Sequence, residues 1–456
     1  MRIEMAISLL LRSAGIILFG VMSVSGCNYS PMGKTAAPSL PVVLVEDKSA
    51  VLATIRDDEK PFSEDFRIAF AGKGGGVAYI SKKGDKLYVV HNARPGRLYE
   101  GIGDVSLSPD GRRIVYTAIA EGKWRVVVDG KEEDTFDVFE RPKFSPDGKH
   151  VACQGRKGDL WHLVVDGKMN AGAKTRYPEY AFSGDSAHIV YLDKFGEKHK
   201  GSLVVSDIAF KSKQIIDAAA TSMTLNDDRT AVAAVSKDSA DKESVIQIDL
   251  AKPDAITRGA AYDKVQWLGF APKGRALAYV GERQGRMYGV FNGQEELLPE
   301  GVTPVTLVIN QAGKSVGVLM SANNTIYLYE MFRNSGRKGN AYDEAEWLVY
   351  SSDGAVSALA ARKGKSWSVV VNGKDGPKFD RVVSPKFSSD GKYLVYRARK
   401  DGKRFVVVAD ASGKVLRQHS AYEQVFDVQF TSDGKSAAYG VKDGNKLIWK
   451  VEKLEK

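Results

Sequence analysis

The chain has 456 residues, of which 43% are hydrophobic and 27% charged, and this composition of a folded protein excludes disorder on a large scale. Its formal net charge is +10, but the lysines and arginines are spread along the chain and form no long basic run. A nucleic-acid partner is therefore not predicted, because basic residues that bind nucleic acid are usually clustered. The two cysteines, Cys27 and Cys153, give no disulfide framework.

Residues 1–26 have the pattern of a secretory signal peptide. Arg2 and Arg12 flank a first apolar run, a second apolar run covers residues 13–24, and Ser25 and Gly26 precede Cys27. Small residues before a cysteine resemble a bacterial lipoprotein signal, and this resemblance implies cleavage before Cys27 and lipid attachment to its thiol. An uncleaved membrane anchor is the alternative, but the second run is shorter than the about 20 residues that span a bilayer.

Cys27 and the residues after it predict where the mature protein is located. Attached acyl chains would hold the mature protein at a membrane surface. The resemblance also implies export to the outer membrane, facing the periplasm, because Asn28 rather than an aspartate follows the cysteine. Residues 27–41 are small, polar and interrupted by prolines, which is typical of a flexible tether.

From residue 42 to residue 456 the chain is built from a repeated unit of about 40 residues. Its clearest copy is Phe144-Ser145-Pro146-Asp147-Gly148, where an apolar run, a turn and a second apolar run predict a hairpin. We expect Phe144 to be a core residue that contacts no ligand. The ten aligned turn positions are Gly74, Gly111, Gly148, Ser186, Arg229, Gly274, Gly313, Gly354, Gly391 and Gly434. Two of these positions lack glycine, so the repeats around Ser186 and Arg229 are the most degenerate.

Each unit has room for four short strands, which is the size of one propeller blade. We therefore predict an all-β chain, a β-propeller of four-stranded blades. Ten units exceed the usual four to eight blades, so one large ring, two packed propellers, or fewer blades with insertions are all open, and one continuous ring is slightly favoured. The last unit lacks a fourth strand, and we expect part of residues 40–55 to complete it and cover its edge.

The repeat also carries a family resemblance. Phe144-Ser145-Pro146-Asp147-Gly148-Lys149 and Leu107-Ser108-Pro109-Asp110-Gly111-Arg112 resemble the Ser-Pro-Asp-Gly repeats of TolB-type, WD40-like bacterial β-propellers. The likeness covers roughly residues 60–453 and is weakest between residues 186 and 313. TolB has an additional α/β domain, and no helical pattern here supplies one. The resemblance therefore implies the propeller, but not the role of TolB.

No catalytic residue, metal ligand or cofactor site is predicted. Ser315 lies in a Gly-x-Ser-x-Gly pattern, but this pattern falls in a hairpin register without the following helix that a hydrolase nucleophile requires. The six histidines lie in different units and lack the close spacing of zinc ligands. Cys153 occupies the register that tyrosine fills in other units, which favours a buried strand thiol over a nucleophile.

One set of acids remains as a candidate ligand-facing site. These acids follow an aromatic residue that lies twelve positions before the turn, and they are Glu100, Asp137, Asp263, Asp343, Asp380 and Glu423. If the units repeat in space, the acids form a partial ring that could bind a cation or a basic segment of a partner. The favoured alternative is that each acid caps its own loop between blades, because residues repeated in every unit usually have a structural role.

The sequence thus favours a non-enzymatic lipoprotein of the bacterial envelope. Its propeller would present a binding surface or scaffold to an envelope protein or a cell-wall ligand. The alternative is a propeller enzyme that acts on a glycan through carboxylates from several blades in the central channel. A pair of carboxylates in a channel pocket would favour that enzyme.

Overall fold

The computed structural model describes residues 48–454, apart from residues 58, 62–67, 72–75, 178, 194–200, 273, 311, 333–335 and 432–433. The signal peptide, Cys27, the tether and Gly74 therefore lie outside the described residues. Every helix or strand within the described ranges is a β-strand. No helix in that part of the chain could cross a membrane.

The strands follow one another at short intervals along the chain. Those of the amino-terminal half are β1 (Lys48–Thr54), β2 (Lys60–Pro61), β3 (Ile68–Phe70), β4 (Val77–Lys83), β5 (Lys86–His91), β6 (Arg94–Pro95), β7 (Gly101–Leu107), β8 (Ile114–Ala120), β9 (Lys123–Val128), β10 (Lys131–Phe136), β11 (Val138–Phe144), β12 (Val151–Lys157), β13 (Leu160–Val165), β14 (Lys168–Met169), β15 (Tyr180–Phe182), β16 (His188–Asp193), β17 (Gly201–Asp207), β18 (Lys213–Leu225), β19 (Ala231–Lys237), β20 (Glu243–Asp249) and β21 (Lys252–Tyr262).

The carboxyl-terminal half continues with the same spacing. Its strands are β22 (Lys264–Phe270), β23 (Leu277–Arg283), β24 (Arg286–Phe291), β25 (Gln294–Leu297), β26 (Thr303–Ile309), β27 (Ser315–Ala322), β28 (Thr325–Phe332), β29 (Arg337–Tyr342), β30 (Glu344–Tyr350), β31 (Ser357–Lys363), β32 (Ser366–Val371), β33 (Lys374–Asp375), β34 (Arg381–Phe387), β35 (Tyr393–Lys400), β36 (Lys403–Asp410), β37 (Val415–Gln418), β38 (Gln424–Phe430), β39 (Ser436–Asp443) and β40 (Lys446–Lys453).

These strands form antiparallel sheets that match the sequence repeat, and we number the repeats units 1 to 10. Unit 3, for example, is the sheet β11-β12-β13-β14, and unit 9 is β34-β35-β36-β37. Units 4 and 5 share one seven-stranded sheet, because the first part of β18 pairs with β17 and its last part pairs with β19. The two degenerate turns, at Ser186 and Arg229, both belong to this sheet.

Unit 10 takes its fourth strand from the other end of the chain. β1 pairs antiparallel with β40, in the sheet order β1-β40-β39-β38. Ala53 and Ile55 are buried against Leu447 and residues of unit 1. β1 therefore covers an edge of unit 10 that would otherwise expose unpaired backbone groups.

The core lies between successive units. Clusters of buried apolar side chains join each unit to the next, and a further cluster joins unit 10 to unit 1, where the ring centroids of Phe70 and Phe426 lie 4.9 Å apart. This order of contacts favours one continuous succession of ten units over two packed propellers. The all-β propeller prediction is confirmed by the strands and sheets of the chain itself.

The Ser-Pro-Asp-Gly segment is a structural turn, as its sequence predicts. The Ser145 hydroxyl donates to Asp147 Oδ1 at 2.5 Å, and the backbone N–H of Lys149 donates to the same oxygen at 3.1 Å. The Ser145 hydroxyl and these backbone bonds lower the pKa of Asp147 to about 2. Gly148 has a φ of +75°, which glycine adopts without steric cost. Phe144 is buried, with 8% of its surface exposed.

Candidate functional site

The six acids predicted as a candidate site all follow their aromatic residue at the start of a unit. In five of the six units the carboxylate accepts a backbone N–H from the hairpin between the second and third strands of its own unit. The distances are 2.9 Å from Gly158 to Asp137, 2.8 Å from Gln284 to Asp263, 2.7 Å from Gly364 to Asp343 and 2.8 Å from Asp401 to Asp380. Glu100 accepts two such bonds, from Glu121 at 3.0 Å and Gly122 at 3.1 Å.

Glu423 differs from the other five acids, because among the described residues its carboxylate accepts no hairpin N–H and is instead paired with the Lys442 side chain of the second strand. The five caps agree with the favoured structural interpretation of the acids, but the capped element is the hairpin within a unit rather than a loop between units. Each capped hairpin holds a residue in the left-handed region, for example Gly158 and Asp401. Binding of a cation or a basic partner by these acids stays a prediction.

A different site is formed by the first strands of the units. First strands of neighbouring units contact one another, as β7 does with β11 and β30 with β34, so they lie on the inner side of the sheets. Most of them contain a bulge, including Glu140 to Lys143 in β11 and Val383 to Lys386 in β34. A bulge re-aims the side chains next to it.

Four of the bulges hold a non-glycine residue in the left-handed region. These residues are Arg141, Trp267, Trp347 and Ser384, with φ of 54°, 58°, 57° and 52°. Non-glycine residues in this region are uncommon and tend to cluster at functional sites. The inner strands are therefore one part of the described chain in which a strained backbone position recurs from unit to unit.

The first strands of units 1 to 4 line an open cavity of about 400 Å³, which we call the inner cavity. Arg229, at the first turn of unit 5, also lines it. The remaining lining residues are Ala69, Phe70, Ala71, Val105, Ser106, Leu107, Ser108, Pro109, Lys143, Phe144, Ala181 and Phe182. Its wall is thus mostly apolar, with two cationic side chains and two serines.

Lys143 is one of these cations. Its Nζ donates to the backbone carbonyl of Tyr180 at 3.2 Å and lies 4.5 Å from the centroid of the Tyr180 ring. The side chain is accessible to solvent, yet desolvation by the surrounding protein, followed by the charges of Arg141 and Arg229, lowers the pKa of Lys143 to about 8. No carboxylate lies within ion-pair distance of Lys143 among the described residues.

Arg229 is the second cation. It occupies a turn position that is glycine in eight other units, and its φ of 56° is left-handed. Its backbone carbonyl accepts the N–H of Gly184 at 3.0 Å, so the turns of units 4 and 5 are held together. Within the described ranges its guanidinium has no hydrogen-bond or ion-pair partner, and desolvation lowers its pKa.

The nearest candidate to neutralise Lys143 is Glu179, which precedes Tyr180. Its carboxylate instead accepts the backbone N–H of Met223 in unit 5 at 3.0 Å. Burial raises the pKa of Glu179, and the charge of Lys143 lowers it only in part. The inner cavity therefore keeps a net positive lining.

A second cavity, of about 280 Å³, lies between units 2 and 3. Its wall includes Cys153, Phe136 and Phe139, and charged side chains such as Arg113 and Asp166 also border it. Cys153 is a free, buried thiol, as predicted, and desolvation raises its pKa to about 12. A thiol with such a pKa is a poor nucleophile at neutral pH, so Cys153 gives this cavity no reactive thiolate.

The sequence patterns do not predict a site at Lys143 and Arg229. Lys143 lies inside the most regular copy of the repeat. It lacks an ion pair because the Glu179 side chain is bonded to the Met223 N–H instead, and no sequence pattern reveals that contact. Arg229 did carry a signal, because an arginine at a turn position that requires a positive φ departs from the rule that glycine belongs there. Among the described residues no group of three histidines, cysteines or acids is placed to hold a metal ion.

No protein-family model matches the chain, and no curated protein matches it. Among solved structures, the chain is similar to the eukaryotic initiation factor, at 13% identity and a TM-score of 0.48, over 76% of this chain and 96% of that chain. It is also similar to oligogalacturonate lyase from Vibrio parahaemolyticus, at 13% identity and a TM-score of 0.33, over 77% and 97% of the two chains. TolB from Acinetobacter baumannii is 16% identical, with a TM-score of 0.27, over 62% and 79%. These likenesses carry no argument about function.

Proposed function

We propose that this chain is a lipid-anchored protein of a bacterial envelope, facing the periplasm from the outer membrane, whose β-propeller is a non-enzymatic binding module. The ligand is an envelope protein or a cell-wall component, part of which enters the inner cavity. The observation that carries the proposal is this cavity, which the first strands of several units build together.

The size and lining of the inner cavity support a binding role. Ligand sites in proteins are usually concave and mostly apolar, with a few polar groups that fix orientation. The cavity of about 400 Å³ combines Phe70, Phe144 and Phe182 with Lys143 and Arg229 in this way. It accommodates a side chain or a single sugar residue rather than a folded domain, so a protruding part of the ligand would enter.

The glycan-cleaving alternative gains no support from this cavity. Glycoside hydrolysis commonly uses two carboxylates about 5 to 10 Å apart. None of the described residues that line the inner cavity is an aspartate or a glutamate. Of the acids close by, Glu179 is bonded to a backbone N–H, and Asp104 accepts the N–H of Arg141 at 3.0 Å.

The membrane anchor is proposed from the sequence pattern before Cys27 alone. We expect the mature chain to carry acyl groups on Cys27 and to fractionate with the outer membrane. Mass spectrometry of the purified chain and membrane fractionation of Cys27→Ser test this. A mature amino terminus at another residue, or unchanged membrane attachment of the variant, would contradict the anchor.

Site-specific crosslinking in intact envelopes tests the binding role. A photo-reactive amino acid replaces Ser106, which lines the inner cavity, and as a control replaces Thr257, which is exposed on the outermost strand of unit 5. We expect a defined adduct from position 106 and not from position 257. The same adducts from both positions, or none from position 106, would refute ligand entry into the cavity.

A further inference from the structure

We propose that Lys143 and Arg229 form an anion-binding site that holds a carboxylate or phosphate group of the ligand in the inner cavity. The inference rests on the proposed binding function and names the chemistry that the cavity recognises. Both cations line this cavity, and none of the described residues that line it is an aspartate or a glutamate.

Both cations border the same cavity but come from different units. Lys143 lies at the bulge of β11 in unit 3, and Arg229 lies at the first turn of unit 5. The charge of Arg229 is among the causes that lower the pKa of Lys143, after desolvation and the charge of Arg141. An anion bound by both cations would offset this repulsion, and its oxygens would replace the water that the two side chains have lost.

The surroundings strengthen such an interaction. Phe70, Phe144 and Phe182 line the same space, and charges attract more strongly beside apolar side chains, where the effective dielectric constant is lower than in bulk water. The guanidinium has no other partner in the described part of the chain, so its planar N–H fork is available for two oxygens of one group. Lys143 adds a single charge and keeps its bond to the Tyr180 carbonyl.

The backbone of Arg229 supports the same inference. Glycine occupies the equivalent position in units 2, 3, 6, 7, 8, 9 and 10 with positive φ, so the turn itself does not need an arginine. A left-handed conformation is unfavourable for a residue with a side chain, and such residues are often found where a site requires them. Arg229→Gly would therefore keep the turn and remove only the guanidinium.

The test uses the full chain purified in detergent and titrated calorimetrically near pH 7. The probes are inorganic phosphate and glutarate, which distinguish a phosphate from a carboxylate as the preferred group. Four proteins are compared: the natural chain, Lys143→Met, Arg229→Gly, and the control Lys386→Met. Lys386 is the matching lysine of unit 9 and is already paired with Asp427 at 2.7 Å.

We expect the natural chain to bind at least one probe, and each of Lys143→Met and Arg229→Gly to weaken it by about tenfold or more, as loss of a charge-assisted hydrogen bond implies. Lys386→Met should change affinity less than about twofold, because a paired surface lysine contributes little. Lys143→Arg and Arg229→Lys should retain part of the binding.

Three results would overturn the anion site: no binding of either probe by the natural chain, unchanged binding in both cavity variants, or an equal loss in Lys386→Met. The last result would mean a general effect of net charge. These titrations do not depend on the envelope crosslinking, so a failure of the anion site can be told apart from a failure of the binding function.

Discussion

Units 3 and 9 contain the same four residues at the same place in the repeat, Pro142-Lys143-Phe144-Ser145 and Pro385-Lys386-Phe387-Ser388. In both units a left-handed residue precedes the proline, so the backbone bulges in the same way. Both lysines also donate to a carbonyl of the next unit, Lys143 to Tyr180 at 3.2 Å and Lys386 to Val428 at 2.8 Å. The two units differ in whether a carboxylate pairs with this lysine.

Lys386 forms an ion pair with Asp427, and at the equivalent place beside Lys143 the chain has Glu179. The longer side chain of Glu179 turns to the Met223 backbone N–H of unit 5 and leaves Lys143 unneutralised. The repeat therefore determines the position of the lysine, and a residue of the next unit determines whether the lysine forms an ion pair. A binding site can arise from a regular repeat through one neighbouring residue.

The largest expected effects concern the two phenylalanines, which are buried alike, with 8% of Phe144 and 7% of Phe387 exposed. We expect Phe144→Ala and Phe387→Ala each to lower the free energy of unfolding by about 3 to 5 kcal/mol, through lost burial and the cavity left behind. Denaturant unfolding of both variants measures this. A loss below about 1 kcal/mol in one of them would mean that the two units do not share a common scaffold.

The same pair of units tests the hairpin caps. Asp137 accepts the N–H of Gly158, and Asp380 accepts the N–H of Asp401. We expect Asp137→Ala and Asp380→Ala each to cost about 1 kcal/mol of stability, as for a hydrogen bond to an exposed carboxylate, with unchanged binding of phosphate or glutarate. Lost ligand binding at unchanged stability would instead restore the acids as a ligand-facing ring.

The sequence predicted the scaffold in these units but not their difference. The spacing of the turns, the buried Phe144 and the Asp147-Gly148 turn follow from local residue preferences, so they could be predicted. The assignment of a cap to Asp137 was favoured for the same reason. Which of Lys143 and Lys386 keeps a free charge depends on contacts between units, and those contacts join residues about 40 positions apart with no local pattern to predict them.

Phe144 belongs both to the core and to the wall of the inner cavity. The sequence predicts that Phe144 is a core residue with no contact to a ligand, and its burial is confirmed. The same ring also forms part of the wall of the inner cavity. Phe144→Ala should therefore weaken anion binding as well as folding, whereas Phe387→Ala, in a unit that does not border the cavity, should affect folding only.

Replacement of the two lysines should change stability in opposite directions. Lys143→Met removes a partly desolvated charge that has no ion pair among the described residues. We expect it to stabilise the fold by roughly 0.5 to 1 kcal/mol, because solvent access reduces the full desolvation cost. Lys386→Met breaks the pair with Asp427 and should cost up to about 1 kcal/mol. If Lys143→Met gains stability and loses anion binding, Lys143 contributes to binding at the expense of stability.

The smallest effect is a pH dependence that only unit 3 should show. The pKa of Lys143 is lowered to about 8 in the folded chain, whereas an unfolded lysine has a pKa of about 10.4. Between these values the unfolded chain binds more protons, so the stability contributed at this position rises with pH. The advantage of Lys143→Met should therefore be complete below about pH 8 and vanish near pH 10.4. Denaturant unfolding of the natural chain and of Lys143→Met at several pH values measures this, with Lys386→Met as control. A stability advantage of Lys143→Met that stays constant up to about pH 10 would mean that the inner cavity does not destabilise the charge of Lys143.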